Sequence, residues 1–363
     1  MRIKFERRLE RARWAVFVVP LVSFVLALGF GALLLWGFGI NPWEAFQVMV
    51  SGSLGGRYAI TETLVKAIPL MLTGLGVSLA FRMLFWNIGA EGQLALGGIA
   101  ASFVALFLSE SLPDFLTLPT MVVLGMLAGA AWAVIPALLK AYLNVNEILT
   151  TLMMNYIAIL MVEYLYLGPW RDPEGYGFPG SAPFPQEAVL PRLIGRVHLG
   201  IIFAVIAAFI IWLIMSRMQW GYEIRLIGEN PRAAKYAGIN TKRNMILVMV
   251  LSGALAGLAG MAEVSGIARR LYQGLTVGYG YTAIIVAWMA SLNPWAVLLV
   301  SLFMAALTVG GDQLQVAMGI PAAVALVLQG AILFFVLGGW VFINYRLRII
   351  RTAEESQVGE PHE

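Results

Sequence analysis

Residues 85–98 read Phe-Trp-Asn-Ile-Gly-Ala-Glu-Gly-Gln-Leu-Ala-Leu-Gly-Gly, and they place Asn87, Glu91 and Gln93 inside an otherwise apolar region. A carboxylate at membrane depth is costly, so such residues face a bundle interior or a water-filled path. Gly89, Gly92, Gly97 and Gly98 let backbones approach closely or break the helix at this point. The stretch therefore reads as a pathway segment of a membrane protein, with Asn87, Glu91 and Gln93 as candidate path residues.

Composition supports the membrane reading. Hydrophobic residues make up 60% of the 363, and charged residues only 12%, where soluble proteins carry about 25%. Mean hydropathy is +0.82. The fold class expected is an all-α polytopic membrane protein. Spans need about 20 mostly apolar residues, and ten stretches qualify: 14–38, 61–81, 93–108, 120–139, 148–167, 199–215, 245–264, 281–292, 295–309 and 321–342. The short ones, Tyr281–Leu292 above all, are candidates for half-helices. The first stretch has no small-residue cleavage site after it and is expected to be retained as a span.

Basic residues orient the chain. Arg2, Lys4, Arg7, Arg8, Arg11 and Arg13 precede the first span, and Arg346, Arg348 and Arg351 follow the last. Both termini are therefore expected in the cytoplasm. With ten spans the basic segment 217–243 also falls inside, and the Pro- and Gly-rich loop 168–200 falls outside. The organisation expected is a basic segment 1–13, one transmembrane domain over 14–345, and a tail over 346–363. Ile3, Phe5 and Leu9 among the N-terminal charges suit a short helix lying on the inner leaflet, beside the plainer reading of topogenic charge.

Several chemistries are excluded or disfavoured. Cysteine is absent, which removes disulfides and thiolate metal sites. No Gly-Lys dipeptide occurs, so the chain has no phosphate-cradling P-loop. The two histidines, His198 and His362, have no partners at metal-ligand spacing and read as solvated surface. No catalytic residue, metal or cofactor is expected in this chain.

The segment Gly221–Asn244, GYEIRLIGENPRAAKYAGINTKRN, is the second informative stretch. Asn230 before Pro231 predicts a helix start, and Gly238 a stop. The expected short helix, 231–237, exposes Arg232, Ala233, Ala234 and Lys235 and suits docking of a cytoplasmic partner; a plain solvated loop helix is the alternative. In the fifth span, Asn146 reads as an N-cap with Glu147 in the first turn, and Asn155 is a further path candidate. Gly125/Gly129 and Gly253/Gly257 are GxxxG spacings read as helix packing.

FWNIGAEGQLALGG, NEILTTLMMNYIA (146–158), GYEIRLIGENPRAAKYAGINTKRN and LSGALAGLAGMAE (251–263) together resemble the permease subunits of bacterial ABC importers for nucleosides. More broadly the chain is similar to permeases for ribose, other simple sugars and branched-chain amino acids. The likeness runs from about residue 42 to 345, and the form of Asn87–Gln93 favours the nucleoside branch. It implies a type II importer fold of about ten helices, like that of the cobalamin importer's permease. It also implies a second permease, usually a different but related chain, a cytoplasmic ATPase that carries ATP and magnesium, and an external solute-binding lipoprotein. By the same resemblance Gly228, Glu229, Asn230, Ala233, Ala234, Gly238 and Ile239 form the coupling helix that seats in the ATPase. The implied location is the bacterial cytoplasmic membrane. A simple sugar such as ribose is the alternative substrate. A secondary transporter using Glu91, Glu163 or Glu263 is the alternative of another class.

Overall fold

The computed structural model describes residues 2–7, 13–175, 177–321 and 323–350. In chain order these form β1 (Arg2–Arg7), α1 (Arg13–Gly37), α2 (Pro42–Leu54), α3 (Arg57–Arg82), α4 (Ala90–Phe103), α5 (Asp114–Leu143) and α6 (Glu147–Leu167). A short hairpin follows, β2 (Arg192–Ile194) and β3 (Val197–His198), then α7 (Gly200–Arg217), α8 (Gln219–Glu229) and α9 (Pro231–Tyr236). The chain finishes with α10 (Thr241–Glu263), α11 (Tyr279–Met289), α12 (Pro294–Met318), α13 (Ala323–Asn344) and β4 (Tyr345–Ile350). One π turn extends α4 through Val104–Leu108 and another extends α10 through Val264–Ala268.

Among the described residues seven helices are long and apolar enough to cross a membrane: α3, α5, α6, α7, α12, and α4 and α10 with their extensions. An eighth is counted if Val25–Gly37 and α2 are taken together. The stretch marked at Tyr281–Leu292 is not a full crossing. Its helix, α11, has 11 residues and is roughly 16 Å long, about half of a ~30 Å hydrocarbon core.

The structure divides into two compact units. The smaller, residues 1–47 and 318–363, pairs α1 with α13 and β1 with β4. The antiparallel ribbon aligns Ile3 with Ile349, Phe5 with Leu347 and Glu6 with Arg346. The strand at Arg2–Arg7 replaces the surface helix, the alternative to plain topogenic charge at this segment. Ile3 and Phe5 alternate with Lys4 and Glu6, a period of two, and Leu9 alone suggested a helical spacing.

The larger unit, residues 48–317, is organised on α10, which packs most extensively on α5, then on α4 and α3. Glycine permits this. A Cβ at Gly257 would overlap the carbonyl of Gly125, one at Gly129 would overlap that of Gly253, and one at Gly97 would overlap Gly257 from the α4 side. A single face of small residues on α10 thus meets two helices at backbone contact, the packing expected of the two GxxxG spacings. α3 is enclosed over most of its length, from Val65 to Phe81 with only Lys66 breaking the buried run.

Candidate functional site

α3 ends at Arg82, and the chain turns back through Leu84 at φ 56°. Phe85 donates its amide to Ala80, and the backbone of 85–89 then forms tight turns before α4 begins. Phe85, Asn87 and Gly89 of this irregular segment are buried, where backbone groups must be satisfied by the protein. Side chains complete the hydrogen bonding. Asn87 Oδ1 accepts from the Gly89 amide at 3.1 Å, and its Nδ2 donates to Gln93 Oε1 at 3.1 Å and Ser252 Oγ at 3.0 Å. Gln93 Nε2 returns a bond to Asn87 Oδ1 at 3.0 Å.

Asn155, on α6, closes the other side. Its Oδ1 accepts from the Gly92 amide at 2.9 Å, and its Nδ2 donates to the Ile88 carbonyl at 2.9 Å and the Tyr281 hydroxyl at 3.2 Å. The structure therefore brings all four sequence-predicted residues, Asn87, Glu91, Gln93 and Asn155, to one buried break in the helix bundle, each at most 1% exposed.

Glu91 acts across helices. Its two carboxylate oxygens accept the amides of Gly278 at 2.8 Å and Gly280 at 2.6 Å, at the start of α11. A carboxylate at a helix N-terminus satisfies orphan amides and meets the positive end of the helix dipole. The approach is close enough that a Cβ at Gly280 would overlap the Glu91 backbone, and Gly278 holds φ 94°, a conformation natural to glycine. Ser252, Tyr281, Gly278 and Gly280 belong to this site and were missed in the sequence. Their only signal was the glycine pair flanking Tyr279, which is not distinctive alone.

The other end of α11 is held by Arg82, whose Nη2 donates to the Leu292 carbonyl at 2.6 Å. Phe81, Trp86 and Trp288 cluster beside it, with ring centroids 5.1 to 6.0 Å apart. The half-helix is thus anchored at its start by α4 and at its end by α3.

The segment between α7 and α10 folds as α8 and α9. Asn230 Oδ1 accepts the amides of Arg232 and Ala233, both at 3.1 Å, Pro231 takes the first helical position, and Gly238 follows at φ 75°. α9 is one residue shorter than expected. Ala234, expected on the exposed face, is fully buried, and a Cβ at Gly228 would overlap the Arg82 carbonyl. Ala233 and Ile239 are half-buried, while Glu229, Asn230 and Gly238 are exposed. Tyr236, not singled out in the sequence, is 93% exposed at the tip. Trp220 Nε1 and Glu223 Oε2 both bond Asn244, at 2.8 Å each, and tie α8 to the start of α10.

At the opposite end, loop 168–200 is pinned to the turn after α10. Ser181 and Leu271 exchange bonds at 2.9 Å, Phe184 donates to Arg269 at 2.8 Å, and Ser265 Oγ donates to Ala188 at 2.6 Å. His198 is fully buried here, against the expectation of a solvated surface residue. Its ring lies on the backbone of Gly266 and Gly200, and Nδ1 accepts the Gly200 amide at 3.2 Å. Burial, reinforced by Arg192, pushes its pKa down to about 4. His362 lies outside the described residues. Asn146 caps α6 through the amides of Ile148 and Leu149, and Glu147 pairs with Lys140 at 2.8 Å.

The bundle, with its seven long apolar helices and its buried helix break, is that of a multi-pass membrane protein. Residues 59–337 match the model of the branched-chain amino acid transport system / permease component family, and the chain belongs to that family. It is 37% identical to the glucose ABC transporter permease protein TsgB13 of Haloferax volcanii, over 93% of this chain and 91% of that one. It is 33% identical to the guanosine ABC transporter permease protein NupP of Bacillus subtilis, over 89% and 94%. It is 31% identical to the nucleoside ABC transporter permease protein NupB of Lactococcus lactis, over 88% and 90%. A second guanosine permease of Bacillus subtilis, NupQ, matches at 29% over 67% of this chain and 78% of that one.

Proposed function

We propose that this chain is one permease subunit of an ATP-driven importer, forms half of a translocation path for nucleosides, and couples to a separate cytoplasmic ATPase. The observation that carries this reading is the pair of near full-length likenesses to guanosine and nucleoside permeases, joined to the exposed helix α9 with Tyr236 at its tip. A self-contained carrier has no need of such a docking segment.

The arrangement is the type II importer fold with ten crossings, in which α11 and the turn before it together make one passage. Both termini are cytoplasmic in this reading, which is supported by the pairing of β1 with β4 and by the excess of arginine at both ends. The transmembrane domain runs over 14–345. The ATPase partner carries ATP and magnesium, an external lipoprotein supplies affinity, and a second, related permease completes the path, as the two guanosine permeases of Bacillus subtilis suggest.

In this mechanism closure of the ATPases on ATP moves the coupling segment, in which Glu229, Asn230, Ala233, Gly238 and Ile239 present α9 to the partner. Gly228 and Ala234 seat the segment on the permease. Gly228 sits against the Arg82 carbonyl, and Arg82 holds the end of α11, so the motion reaches the half-helix and, through Glu91, the break at Asn87, Gln93 and Asn155. The path binds substrate weakly, because a tight midplane site would hold its cargo.

A sugar substrate is the second reading, favoured by the 37% identity to a glucose permease. The deciding experiment measures uptake of labelled guanosine, adenosine and uridine, with ribose and glucose as competitors, in cells with and without this chain. Nucleoside uptake lost with the chain and unaffected by either sugar supports the first reading; loss of sugar uptake alone replaces it with the second. Transport by the purified chain alone under an ion gradient overturns both.

A further inference from the structure

Three helices of the larger unit each carry one charged side chain within a long apolar stretch. Lys66 is the sole charge of α3 between Glu62 and Arg82, Glu263 the sole charge of α10 after Arg243, and Asp312 the sole charge of α12. Isolated charges at membrane depth are rare and face a bundle interior or water. The fold gathers these three. Lys66 acts electrostatically on both Glu263 and Asp312, and its Nζ lies 5.8 Å from the centre of the Tyr279 ring. Glu263 in turn acts on Tyr279 and on Tyr272.

The cluster is graded from outside to inside. Asp312 is exposed, Lys66 and Tyr272 are half-buried, and Tyr279 and Glu263 are 5% and 2% exposed. At the buried end, Glu263 Oε2 and the Tyr279 hydroxyl have no hydrogen-bond partner among the described residues. The contrast with the helix break is sharp: Asn87, Glu91, Gln93 and Asn155 spend polar atoms on one another, on backbone and on the Ser252 and Tyr281 hydroxyls, whereas this acceptor and this donor remain open. Glu263 also immediately precedes a π turn of α10, a distortion that often marks a functional position.

We propose that Glu263 and Tyr279 form a hydroxyl-binding station on the translocation path, reached past Asp312, Lys66 and Tyr272, that contacts the polyhydroxylated ring of the passing substrate. A carboxylate oxygen accepts from a ring hydroxyl, and the tyrosine hydroxyl donates to a second oxygen. Lys66 balances the carboxylate, so the station suits an uncharged polyol rather than a cation. Two bonds give the weak, transient hold that passage requires. This inference rests on the importer reading above.

The test uses the complete importer in proteoliposomes, with both permeases, the ATPase and the binding protein. Wild type, Glu263→Gln and Tyr279→Phe are compared for guanosine against 2′,3′-dideoxyguanosine, and for glucose against 2-deoxyglucose. The binding protein is the same throughout, so a change in discrimination between variants belongs to the permease. Discrimination in favour of the hydroxylated substrate is expected to fall about tenfold in Glu263→Gln and about threefold in Tyr279→Phe. Tyr279→Phe removes only an unpartnered hydroxyl and keeps the fold if Glu263→Gln does not. Active variants with unchanged discrimination overturn the station while leaving the importer reading intact. A wild-type complex that moves neither guanosine nor glucose overturns both. Altered discrimination confined to the glucose pair keeps the station and moves the substrate to the sugar class.

Discussion

The Glu91 carboxylate accepts the Gly280 amide at 2.6 Å, joining the first turn of α4 to the first turn of a half-helix 189 residues away in sequence. With the companion bond to Gly278 it forms a cap supplied from another helix. The residue at the start of α11, Gly278, has no side chain with which to cap the helix itself.

Removing that cap frees α11. Glu91→Ala is expected to destabilise the bundle by about 3 kcal/mol, because hydrogen bonds to charged groups contribute about 1.5–3 kcal/mol each. Glu91→Gln keeps one acceptor and loses less. Hydrogen exchange of 278–289 in the detergent-solubilised complex reads the effect directly. Unchanged protection together with unchanged uptake in Glu91→Gln would remove Glu91 from any role.

At the α5–α10 crossing there is no space for a side chain, since a Cβ at Gly257 already overlaps the Gly125 carbonyl. Gly257→Leu is expected to cost about 4 kcal/mol or more, the range of severe overpacking, and to abolish recovery of monodisperse complex by size exclusion. Intact assembly and transport in this variant would contradict the packing role.

Tyr236 places an aromatic ring at 93% exposure on the tip of the segment between α7 and α10. Aromatic anchors dominate interfaces, with truncations costing about 2 kcal/mol or more. Tyr236→Ala is expected to weaken capture of the ATPase roughly 30-fold without changing the melting temperature of the permease. Equal affinity of wild type and variant in a pull-down titration would move the anchor elsewhere.

His198 makes loop 168–200 sensitive to acid. Its pKa is about 4 in the fold and about 6.5 when free, so the opened loop takes up a proton first as pH falls. Stability from this group is therefore complete above pH 6.5 and is lost as pH drops towards 4, by about 3 kcal/mol in total. Hydrogen exchange of 188–200 at pH 7 and pH 4.5, corrected for intrinsic rates, should show the loss in wild type and not in His198→Gln. Identical pH dependence in both would exclude the histidine.

Much of this was legible in local sequence because it depends on local physics. The apolar lengths of α3, α5, α6 and α10 follow from hydrocarbon thickness, the helix start at Asn230-Pro231 from capping, and the meeting of Gly125/Gly129 with Gly253/Gly257 from the absence of side chains. The polar stretch 85–98 announced a break in a membrane bundle. Its residues could not reveal what they bond, because Glu91 finds Gly278 and Gly280, and Asn87 finds Ser252, only through long-range packing.

The same limit explains the errors. His198 looked solvated because nothing local announces that the turn after α10 covers it. Ala234 looked exposed because its neighbours in sequence do not show that the fold buries it. Composition and period determined that this chain spans a membrane as helices, since water and hydrocarbon act on each segment by itself. Tertiary structure alone decided which polar atoms are spent inside the bundle and which stay open at Glu263 and Tyr279, because hydrogen-bond satisfaction is a property of pairs that only the fold brings within reach.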